Sequence, residues 1–128
     1  MTERLRRSRR VLAVQSQLDR LAEWSLMDVQ TQAAVLVDQR HGLHRFMSEG
    51  SEVSGMFSST MMHRLQTIAE KLAALAIEQE SRRGCHLDER RRLRRAEIMV
   101  GHLENEVRFK DTLRQLTEVV EAALQRGS

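Results

Sequence analysis

For roughly seventy residues, from Met56 to about Leu124, the chain has no proline and repeats its apolar side chains at alternating spacings of four and three. From Met61 the phase runs through Leu65, Ile68, Leu72 and Leu75. It passes through Gln79, Arg82, His86 and Glu89 and becomes apolar again at Leu93, Ala96, Val100, Leu103 and Val107. This is the pattern of one long helix whose coiled-coil seam has a polar middle. Gly84 and Gly101 each cost a helix interior about 1 kcal/mol relative to Ala. Neither is flanked by residues that end a helix, so at most a weak point near Gly84 is expected. At about 1.5 Å per residue such a helix would extend roughly 100 Å, and it needs a partner along its length.

The composition suits long helices. Of 128 residues, 30% are charged and 41% hydrophobic, with three Phe, one Trp, no Tyr and no Pro. No run of β-branched and aromatic residues lies between turn signals; Val35, Leu36 and Val37 sit in an Ala/Gln/Asp context that favours helix. The expected fold class is all-α.

A second pattern fills Leu5 to about Met47, through Val11, Val14, Leu18, Ala22, Leu26, Val29, Ala33, Leu36, Leu43 and Met47. Its phase slips near Ala22 to Leu26, as a stutter would, and Trp24 beside the slip is expected to fill the wider gap there. Between the two patterns, residues 48–55 concentrate Gly and Ser and form the one convincing loop. The expected architecture is an antiparallel two-helix coiled-coil hairpin, a single domain over 1–128. Helix one covers about 3–47, the turn about 48–55 and the longer C-terminal helix about 56–125.

Centring the turn near residue 52 sets a register. Leu43 approaches Met61, Leu36 approaches Ile68, Ala33 approaches Leu72 and Leu5 approaches about Met99. Arg9 and Arg10 fall beside Arg94 and Arg95, so the basic groups Arg4 to Arg10 and Arg82 to Arg95, the latter including Arg91, merge into one collar. Helix two outruns helix one from about residue 103, leaving Leu103, Val107, Phe109, Leu113, Leu116, Val120 and Ala123 without an internal partner. Arg9, Arg10, Arg91, Arg94, Arg95, Leu113, Leu116 and Val120 are therefore the expected partner-binding residues.

The net charge is +3, with 19 Arg against two Lys. Arg clusters attract nucleic acid, anionic membranes or acidic protein surfaces, although a solvated helix face or a GC-rich genome produces the same bias. The lone Cys85 excludes an intramolecular disulfide and fits a reducing compartment. No apolar run of about eighteen residues exists to span a membrane. The Arg-rich first eighteen residues could pass for a transit peptide, but their periodicity continues unbroken into the residues beyond Leu18.

Catalytic chemistry finds little purchase. His41 and His44 share a helix face at i, i+3 but lack a matching ligand motif. Cys85 and His86, as sequence neighbours, point about 100° apart in a helix and cannot couple as nucleophile and base. The Gly50 to Gly55 segment lacks the Lys-Ser/Thr of a phosphate loop. No catalytic, cofactor or metal site is expected. Met47, Met56, Met61 and Met62, with Phe46 and Phe57, gather near the turn, where they pack its last helical turns or form an adaptable contact surface.

The segment Ala76-x2-Gln79, Arg92-x3-Ala96 and Leu103-Glu104, within a basic, proline-free hairpin with a longer second helix, resembles the flagellar FliJ proteins and their YscO-type counterparts in type III secretion. That resemblance implies a non-enzymatic stalk in the central pore of the hexameric export ATPase, much as the γ subunit sits in rotary ATPases. It also implies contacts with the export gate and export chaperones, and a location in the cytoplasm or at the periphery of the inner-membrane export apparatus. Two alternatives come from other classes. One is an Arg-rich hairpin that binds nucleic acid, opposed by the scarcity of stacking aromatics and the Glu residues interleaved in helix two. The other is a homodimeric coiled coil in which the overhangs pair.

Overall fold

A computed structural model describes residues 2–50 and 55–127. Two α-helices form an all-α antiparallel hairpin, α1 over Glu3–Ser48 and α2 over Ser58–Gly127. They have 46 and 70 residues, so the C-terminal helix is the longer, as expected. The expected turn centre near residue 52 lies outside the described residues.

Local chemistry sets the helix ends. Thr2 Oγ1 accepts a hydrogen bond from the Leu5 amide at 3.2 Å, capping α1, and Glu3 places a carboxylate in its first turn. At the other end Arg45 lies in the last turn, and Gly50 adopts φ +65°, the left-handed conformation that stops a helix and that glycine reaches without steric cost. In α2 the helix continues without interruption past Gly84 and Gly101. The i to i−4 ladder tolerates both.

Packing groups the chain into two units, one of residues 1–19 with 89–128 and one of residues 20–88. In the first, Leu5, Val100 and Leu103 are buried together, with Leu12 and Val107 packed against them. In the second, Val29, Met61 and Ile68 are buried. Leu36, Leu43 and Ile68 line one groove with Arg64 and Lys71.

Every position of the expected α2 seam from Met61 to Val107 is buried or half-buried. The first half of α1 differs from expectation. The inward positions of α1 include Leu5, Ser8, Leu12, Gln15, Asp19, Ala22, Leu26, Val29, Ala33, Leu36, Arg40, Leu43 and Met47, which alternate by three and four and from Leu26 onward keep the expected phase. Val11, Val14 and Leu18 are exposed. There is no phase slip, and Trp24, 65% exposed, fills no gap. The reason lies in the polar seam positions of α2, whose groups need hydrogen-bonding partners rather than a valine stripe. Gln15 Nε2 donates to the Glu89 carboxylate and, at 3.3 Å, to the Glu89 carbonyl. Arg90 Nε lies 3.3 Å from the buried Asp19 carboxylate. In the other unit Arg82 Nη1 donates to the Ser25 carbonyl at 2.8 Å, while its other nitrogen binds Glu78.

Candidate partner-binding surfaces

The structure pairs several of the basic residues expected to converge with carboxylates. Arg9 Nη2 is 3.1 Å from Glu104 Oε1. Glu104 lies nine residues beyond Arg95, about 13 Å along a helix, so the Arg9 guanidinium reaches past the position the expected register gave it. Leu5 likewise packs with Val100 and Leu103, while Met99 remains about half exposed. Arg10 pairs with Glu3 at 3.4 Å and Arg94 with Glu97 at 3.8 Å, each within its own helix. Carboxylates therefore interleave the arginines and cancel most of the repulsion that a merged collar would carry. Arg91 is exposed on the outer side of α2, where it lines a shallow surface with Arg90, Leu93 and Arg94. Among the described residues, Arg4, Arg7 and Arg95 have no ion pair.

The overhang of α2 begins later than expected. Leu103 is buried and Val107 packs on the Leu5 cluster, so both belong to the hairpin's own core. Past them, Phe109, Leu113, Leu116, Val119, Val120 and Leu124 are all exposed. Leu113, Leu116 and Val120 are thus exposed, and Ala123 is exposed beside them. The pattern of four and three misses Val119 and Leu124, which lie on the flanks of the stripe and widen it. Their apolar character at flanking positions is the available signal.

A second surface lies where hydropathy places core. Val11 and Val14 face outward and, with Arg7, Arg10 and Gln15, line a shallow groove on α1. Elsewhere, His41 and His44 are exposed, Cys85 is exposed and His86 is half-buried on the α2 seam. Among the described residues no helix is long and apolar enough to cross a membrane. No family model, curated protein or solved structure matches the chain.

Proposed function

We propose that this chain is a non-enzymatic coiled-coil stalk or adaptor of a flagellar or type III protein export apparatus, inserting into the hexameric export ATPase and touching the export gate or its chaperones. One observation carries the reading: α2 continues for about twenty residues past its last packing against α1 and bears a row of large exposed apolar side chains. A helical stripe of that kind normally marks an interface. The resemblance of the second helix to FliJ and YscO proteins supplies the identity of the partner. The exposed Arg4, Arg7 and Arg95 supply positive charge for an acidic partner surface.

The test is co-purification of the export ATPase from the native cell, with the full chain as bait beside a version ending at Val107. The full chain should retain the ATPase and the truncated one should lose most of it, while circular dichroism shows the truncated hairpin still helical. Equal retention by both would remove the overhang from the interface. Stronger retention of nucleic acid than of any protein would favour the Arg-rich nucleic-acid reading instead.

A further inference from the structure

The exposed stripe of α2 has an internal symmetry. Phe109, Leu113, Leu116 and Val120 recur at spacings of four, three and four, and Leu124 lies four residues beyond Val120. A two-fold axis passing between residues 116 and 117 maps Phe109, Leu113, Val120 and Leu124 onto one another and leaves Leu116 opposite a threonine. Phe109 then meets Leu124 of a second copy, Leu113 meets Val120, and Leu116 meets Thr117. An isologous interface requires this kind of self-complementarity.

The polar groups fit the same arrangement. Arg108, Lys110 and Arg114, against Asp111, make the first half of the overhang basic; Glu118 and Glu121, against Arg126, make the second half acidic. Antiparallel pairing brings Glu118 beside Arg114 of the second copy and Glu121 between its Lys110 and Arg114. A parallel pair would set Glu118 against Glu118 and Glu121 against Glu121, which repel. Among the described residues, Lys110, Glu118 and Glu121 have no ion pair within the chain, so all three are available. The hydroxyls beside the stripe are already satisfied, since Thr112 Oγ1 donates to the Arg108 carbonyl and Thr117 Oγ1 to the Leu113 carbonyl, both at 2.9 Å. Covering them strips little hydration, and their methyl groups add apolar surface.

We infer that the overhang, residues 108–125, is an antiparallel homodimerisation surface in which a second copy of this chain covers Phe109, Leu113, Leu116, Val120 and Leu124. The inference goes beyond the export-stalk reading and requires only this chain. An export partner that used the same stripe would have to displace the second copy.

The experiment uses the full chain with Cys85→Ser, which removes the exposed native thiol. Separate Phe109→Cys and Leu124→Cys proteins are prepared, mixed and mildly oxidised. The mixture should give a disulfide-linked pair joining the two variants, and each variant alone should give little. Sedimentation of the parent chain should show a concentration-dependent dimer that Val120→Asp shifts to monomer with its helicity retained. A monomer at every concentration would overturn the inference. So would a dimer in which Phe109→Cys links mainly to itself, or one unmoved by Val120→Asp, because the pairing would be parallel or located elsewhere. ATPase retention is not read in this experiment, so failure of the dimer and failure of the stalk reading are separate results.

Discussion

Arg9 of α1 reaches Glu104 of α2 at 3.1 Å, a cross-helix ion pair at a position where the expected register put arginine against arginine. Both side chains are partly solvated, so the pair contributes on the order of 0.2–1 kcal/mol. Arg9→Glu should lower the free energy of unfolding by at least that much, and adding Glu104→Arg should recover most of it. Recovery should shrink in high salt as screening rises. A double variant no more stable than the sum of its singles would place the pair outside the stabilising contacts.

Neighbouring residues on α1 separate the inward seam from the outward stripe. Leu12→Ala removes a side chain packed on the Leu5 cluster and should cost about 2 kcal/mol, the low end for core leucines because Leu12 is only half-buried. Val11→Ala, one residue away and exposed, should change stability by less than about 0.5 kcal/mol. Urea unfolding of the two variants reads the difference. Equal costs would mean that both faces are covered in solution.

Gly84 lies exposed in the interior of α2, and a Cβ added there meets nothing within 4 Å. Gly84→Ala should therefore stabilise the protein by about 0.5–1 kcal/mol through the lower backbone entropy of the unfolded chain. A higher thermal midpoint with unchanged helicity is the expected result. A lower one would show that the glycine serves a bend or a contact made by a partner.

The buried Asp19 and the mostly exposed Arg90 test what the polar seam is for. Arg90→Met alone should destabilise by about 1–3 kcal/mol, because the buried carboxylate loses its guanidinium. Adding Asp19→Leu should restore stability to about the parent level, because it removes the buried carboxylate that the first substitution leaves without its arginine. If the polar seam fixes the register, the doubly substituted protein should keep that stability and lose uniqueness, seen as broadened amide resonances. Sharp, parent-like spectra would assign the pair no role in register.

The path of α2 was legible from the sequence because its seam is apolar at both ends and regular throughout, so a polar middle could not hide the phase. Gly50 and the serines around it marked the stop of α1 for the same local reason that the structure shows, a left-handed residue after the last turn. The register was less legible. The register counted from the turn places Gln15 beside Glu89 and Leu5 within a residue of Val100, as the structure has them, but it sets Arg9 away from Glu104 and left Leu103 and Val107 looking unpartnered. The overhang therefore starts after Val107, while Leu113, Leu116 and Val120 keep the exposure that their displaced phase suggested.

By itself the sequence determined that the chain forms two helices, which face of α2 turns inward, and that α2 runs on past α1, since propensity, periodicity and length are properties of each segment alone. Which face of the first half of α1 turns inward was decided only by tertiary structure. Hydropathy favours Val11, Val14 and Leu18, and they lie outside; Gln15 and Asp19 lie inside, where Gln15 donates to Glu89 and Arg90 Nε comes within 3.3 Å of the Asp19 carboxylate. A polar group withdrawn from water is stabilised by the partner it meets, and that partner comes from the other helix.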